Sequence, residues 1–153
     1  MKNLKIFSLA VMLLVAMVGC KPEPAPVTFV PGDVNKIVNE WHLVEFAGQP
    51  AKFDVYVDFN EDATFEMYER NFSYEYVYSN GDYVLSGNDL TGTYADGTAW
   101  NYEYRAEVSA DGKVLRLHTT DGTMSVYEQV AIPESVKANA VEPASVRATG
   151  YFL

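Results

Sequence analysis

The sequence predicts an all-β protein: an eight-stranded antiparallel up-and-down barrel with short flanking helices. Three observations point there. Aromatic residues make up 14% of the 153-residue chain, with 8 Phe, 2 Trp and 11 Tyr, and such side chains favour strands. Between Ala51 and Ile132 there is no proline, while Asn-Gly and Asp-Gly pairs recur at short intervals. The runs between those pairs alternate apolar and polar residues, the period of a half-buried strand.

The leader comes first. Lys2 and Lys5 precede an apolar run over residues 6–18, which ends at Gly19-Cys20. A basic start, a short apolar stretch and a small residue before the cleavage point make an export signal over residues 1–19. The apolar run is too short to cross about 30 Å of hydrocarbon. Residues 20–32 then hold four of the seven prolines, at 22, 24, 26 and 31. Such a segment favours an extended polyproline conformation and reads as a tether of roughly 37 Å.

The body is expected over residues 33–132. Asp33 can cap a short helix carrying Val34, Ile37, Val38 and Trp41 on one face. Strands follow at 41–46, 53–60, 64–69, 76–85, 89–94, 100–108, 114–119 and 123–130. The turn signals are Asn80-Gly81, Gly87-Asn88-Asp89, Asp96-Gly97, Asp111-Gly112 and Asp121-Gly122. Asn-Gly and Asp-Gly supply the positive φ that tight hairpins need. Short links make neighbouring strands antiparallel, and closure removes exposed edges; a two-sheet sandwich is the alternative. Pro133 ends the barrel, and residues 133–153 hold a short helix at 134–141 and a tail ending in Tyr151-Phe152-Leu153.

Alternation assigns the faces. Trp100, Tyr102, Tyr104, Ala106 and Val108 share one side of their strand, opposite Asn101, Glu103, Arg105 and Glu107. Phe53, Val55, Val57 and Phe59 oppose Asp54, Tyr56 and Asp58. Phe65 and Met67 oppose Thr64, Glu66 and Tyr68. The apolar sides form a broad, aromatic and nearly uncharged interior. Eight strands enclose a space that side chains just fill or that holds one small ligand. A pocket would be lined by Phe53, Phe59, Phe65, Met67, Trp100, Tyr102 and Tyr104, and would take a small apolar or aromatic molecule. The same rings could instead meet as a solid core. The barrel would then be an interaction module that contacts another envelope protein through Tyr56, Tyr68, Tyr74, Tyr76 and Tyr78.

Other chemistry is weakly represented. The net charge of −10 disfavours nucleic acid, which needs a basic surface. The single cysteine excludes an intrachain disulfide framework. His42 and His118 fall off the apolar faces, so no metal site and no cofactor are expected. There is no HExxH, GxSxG or P-loop, and no nucleophile–base pair marks an enzyme. Glu61-Asp62 and the Asp54/Asp58 pair read as solvated charges of one hairpin. Asn71-Phe72-Ser73 matches a glycosylation sequon.

Two resemblances sharpen this reading. Met17-Val18-Gly19-Cys20 resembles the lipobox of bacterial lipoproteins, which implies acylation of Cys20 and anchoring to a lipid membrane. Residues 37–153 resemble the small lipocalin-like, calycin-type lipoproteins of Bacteroidetes. The matching stretches include Trp41-His42-Leu43, residues 53–66, LSGNDLTGTY at 85–94, residues 96–100, Ser125-Val126-Tyr127 and residues 132–137. The resemblance implies an eight-stranded barrel in the cell envelope at the outer membrane, and by analogy with lipocalins a small apolar ligand. Two positions depart from the lipocalin pattern: Asn39 stands where Gly is usual, and the last strand carries Glu128-Gln129 without an Arg. Only Glu23 follows Cys20 as an acid, which points to the periplasmic face.

Overall fold

A computed structural model describes residues 26–71, 73–142 and 152–153. The leader, Cys20, Pro22, Pro24, Phe72 of the sequon and residues 143–151 lie outside the described residues. The elements are β1 (Phe29–Pro31), α1 (Val34–Ile37), β2 (Glu40–Phe46), β3 (Gln49–Pro50), β4 (Asp54–Phe59), β5 (Thr64–Arg70), β6 (Val77–Ser86), β7 (Asp89–Tyr94), β8 (Tyr104–Ser109), β9 (Val114–Thr119), β10 (Met124–Gln129) and α2 (Glu134–Asn139). Strands β2, β4, β5, β6, β7, β8, β9 and β10 pair antiparallel in that order, and β10 returns to β2. The barrel is closed, eight-stranded and up-and-down, and its fold is lipocalin-like.

The turns explain the connectivity. Gly97, Gly112 and Gly122 have φ of 88°, 74° and 89°, which only glycine adopts without strain. The aspartate before each one locks the hairpin from its side chain. Asp96, Asp111 and Asp121 Oδ1 accept the backbone N–H groups of Thr98, Lys113 and Thr123 at 2.8, 3.2 and 3.0 Å. The Ser109 and Thr119 hydroxyls, and after them these backbone bonds, draw the Asp111 and Asp121 carboxyls below the usual range.

One end is shut by the start of the domain. Asp33 caps α1 by accepting the Asn35 N–H at 3.0 Å. Ile37 and Trp41 are fully buried, and the Trp41 indole N–H donates to the Ile37 carbonyl at 2.8 Å. The same end carries a polar clasp: Gln129 Nε2 donates to Asn39 Oδ1 at 2.7 Å.

The sheet departs from the sequence expectation in four places. Residues 29–31, assigned to the tether, form β1 and pair with β8, Phe29 opposite Ser109. Asn80-Gly81 is no turn but the middle of β6, where that strand changes partner from β5 to β7. A methyl group at Gly81 would lie 2.0 Å from the Thr93 carbonyl oxygen, so the close approach of two backbones requires glycine there. Residues 100–103 are not strand: β8 begins at Tyr104, because Trp100 N–H bonds back to the Gly92 carbonyl at 3.0 Å and draws the chain along β7 first. β3 is an additional two-residue strand on β2.

Helix α2 lies against the outer wall. Ile132 and Val136 are buried with Tyr68, and Tyr56, Tyr76, Tyr78 and Ala140 pack around them. Glu40 holds the approach to the helix, accepting Lys137 Nζ at 2.6 Å and Ile132 N–H at 2.9 Å. Of the five tyrosines expected to form a docking surface, Tyr68 is buried under the chain's own helix, Tyr56, Tyr76 and Tyr78 are half-buried against it, and Tyr74 is fully exposed.

Candidate functional site

Most inward-facing residues follow the alternation, and the interior divides into three zones: a solid middle, the end shut by Ile37 and Trp41, and the opposite end. The middle is solid. Phe59, Phe65 and Met67 are fully buried, and Trp100 and Tyr104 nearly so. Phe65 meets Trp100 and Tyr94 at ring distances of 5.1 and 5.5 Å, Phe59 meets Tyr83 at 5.0 Å, and Trp100 meets Tyr104 at 6.0 Å. Each such ring contributes about 1.5–3 kcal/mol by burial, so this zone is first of all a core.

Tyr102 departs from the expected lining. It lies outside β8, is 45% exposed, and with Val84 and the edge of Trp100 borders a surface hollow of about 470 Å³. Strand alternation does not apply to it because residues 100–103 are not in the sheet.

The third zone is the end of the barrel opposite α1. Phe53 stands there, half-buried, just before β4 rather than in it. It packs against Phe46 with ring centroids 5.6 Å apart. Over both lies Phe152, at 5.7 Å from Phe46 and 5.6 Å from Phe53. Beside it Leu153 is 1% exposed and joins the main core. Its carbonyl oxygen accepts the Tyr94 hydroxyl at 3.2 Å and the Asn101 N–H at 3.1 Å. α2 delivers the chain to this end: Val141 runs alongside Val77, exchanging backbone hydrogen bonds with Tyr76 and Tyr78. The apolar tail thus docks in the open end.

Glu69 is the residue that sequence reasoning missed. It continues the inward series of Phe65 and Met67 by one more step and is 3% exposed. Burial pushes its carboxyl up to about 7, against the pull of a hydrogen bond from the Phe152 backbone N–H. Among the described residues its Oε2 has no hydrogen-bond partner, and neither has the buried Ser79 hydroxyl or the Trp100 indole nitrogen. The expected uncharged interior therefore carries one carboxyl and several polar handles.

The outer charges form local pairs. Asp54 accepts from Arg70, from the Tyr76 hydroxyl at 3.1 Å, and stands 3.4 Å from His42 Nε2. Burial opposes ionisation of Asp54, but these donors outweigh it and hold the carboxyl below its usual range. His118 lies 3.3 Å from Glu107. Among the described residues no three His, Cys, Asp or Glu side chains come together as a metal site.

Comparison with known families agrees with this architecture. Residues 37–111, from the end of α1 through β8 into the next turn, match the family model of the lipocalin-like domain. No curated protein and no solved structure gives a significant match.

Proposed function

We propose that this chain is a cell-envelope lipoprotein, anchored through acylated Cys20, whose barrel binds one small apolar or aromatic molecule at its open end. The observation that carries the binding reading is the composition of that end. Phe46 and Phe53 offer an aromatic rim, and below it the 3% exposed Glu69 keeps an oxygen with no hydrogen-bond partner among the described residues. A buried polar atom without a partner costs stability, and a bound ligand would offset that cost. The lipocalin-like domain match supports a binding fold rather than a catalytic one.

Thermal unfolding tests the reading. Lipids, bile acids, porphyrins and small aromatics are screened against the full chain without its leader. A ligand at 100 times its Kd should add about 2.7 kcal/mol. A screen with no stabilising member overturns the reading.

The anchor rests on the leader and on the Gly19-Cys20 junction. Labelled fatty acid should enter the protein in a bacterial host, and Cys20→Ser should abolish that labelling. Two acyl chains suffice for stable anchoring. The sparse acids just after Cys20 favour the periplasmic face, and the outer membrane is the location that the resemblance to envelope lipoproteins implies. For the alternative of a solid interaction module, α2 takes part of the tyrosine surface: Tyr68 is buried, Tyr56, Tyr76 and Tyr78 stay half-exposed, and Tyr74 is open.

A further inference from the structure

Phe152 and Leu153 do more than close the barrel mouth: they make a complete set of contacts that a ligand would have to replace. The Phe152 ring fills the aromatic rim between Phe46 and Phe53. Its backbone N–H donates to Glu69. The Leu153 carbonyl oxygen accepts from Tyr94 and Asn101, and the Leu153 side chain fills a buried apolar socket. An aromatic seat, an acceptor for an N–H, two donors for a carbonyl and an aliphatic socket together describe a peptide unit.

From this we infer that the open end is a recognition site for short apolar peptides or peptide-like amides, with Phe152-Leu153 as the built-in competitor. The inference rests on the reading of the barrel as a small-molecule binder and names the ligand class. A fatty acid fits the geometry less well. Its carboxylate offers acceptors to Tyr94 and Asn101, and to Glu69 when that carboxyl holds its proton, but it brings neither an N–H for the ionised Glu69 nor a ring for the seat between Phe46 and Phe53. A peptide amide supplies both kinds of group. Glu69 Oε2, which has no partner among the described residues even with Phe152 and Leu153 docked, can receive a second N–H from a longer ligand.

The tail also sets how binding should look. A tethered competitor acts at an effective concentration far above that of a free ligand, so it lowers the apparent affinity of the unaltered chain. The double variant F152S/L153S keeps the chain length and removes both side chains from the seat.

The probe is N-acetyl-Phe-Leu amide, followed by calorimetry. The double variant should bind it at least tenfold more tightly than the unaltered chain. Methylating the Phe nitrogen of the probe removes the donor to Glu69 and should weaken binding at least tenfold. Glu69→Ala should remove that discrimination. If the double variant fails to fold, the unaltered chain gives the answer by hydrogen exchange. At millimolar probe the Phe152 amide should lose protection while barrel amides such as those of β5 keep theirs. Equal binding of the methylated probe, or no loss of Phe152 protection at millimolar probe, overturns the inference. Binding of dodecanoate without binding of the peptide overturns it while leaving the small-molecule reading intact. A screen in which nothing binds overturns both.

Discussion

The indole of Trp100 lies across Gly92 so closely that a methyl group on residue 92 would come within 2.3 Å of the ring. The two residues form one packing unit: a strand position left without a side chain, and a ring supplied from the following loop to fill it. That ring then contacts Phe59, Phe65 and Tyr104.

Gly92→Ala should therefore displace Trp100 rather than merely crowd it. The expected cost is about 3 kcal/mol, in the range of losing a large aromatic from a core. Urea unfolding followed by tryptophan emission reads both effects, and the native emission should shift to the red. Unchanged stability and unchanged emission would show that the loop yields easily.

Glu69 predicts a pH dependence with a definite sign. Its carboxyl is raised from 4.5 to about 7 by burial, so the fold binds this proton more tightly than the unfolded chain does. The contribution to stability is fully present below pH 4.5 and is lost as the pH rises toward 7. The step is about 3 kcal/mol. Glu69→Gln should flatten it, so the difference in urea midpoint between the two proteins should grow from pH 5 to pH 8. Parallel pH profiles would contradict the assignment.

Glu40 links the barrel to α2 through Lys137 Nζ and the Ile132 amide. Glu40→Ala should cost about 1–2 kcal/mol, the loss of two charge-assisted hydrogen bonds at a partly buried site. Hydrogen exchange should quicken at the Ile132 amide and along α2, and much less in β7.

Trp41→Phe removes the bond to Ile37 and part of a fully buried ring. A cost of about 2 kcal/mol is expected, measured by chemical unfolding. Protection of the α1 amides, Lys36 and Ile37, should fall with it.

The sequence was readable where local rules governed the outcome. Phe65 and Met67 are buried because their strand is regular, and the Asp-Gly turns fold as their chemistry demands. Trp100 is buried as alternation predicts but by another route, since it reaches the interior from a loop over Gly92. Tyr102, assigned by the same alternation, is outside for that reason. Glu69 was within reach: it lies inside the strand read at 64–69, one more step along the Phe65–Met67 series, but the inward face was followed only as far as Met67. The cover of α2 over Tyr68 and the seat of Phe152 were not readable. Both depend on contacts between segments tens of residues apart, which no local pattern encodes. β1 was hidden by its brevity and by the proline within it.

The pairing of β1 with β8 has a directional consequence. Thr28 and Phe29 lie beside Ser109 and Ala110, next to the hairpin at the pole sealed by Trp41, whereas Phe152 occupies the opposite pole. The described chain therefore starts, at residues 26–28, beside the sealed pole. If those residues moor the molecule to a surface, the mouth looks outward from it, and incoming molecules need not pass beneath the barrel to reach Phe46 and Phe53.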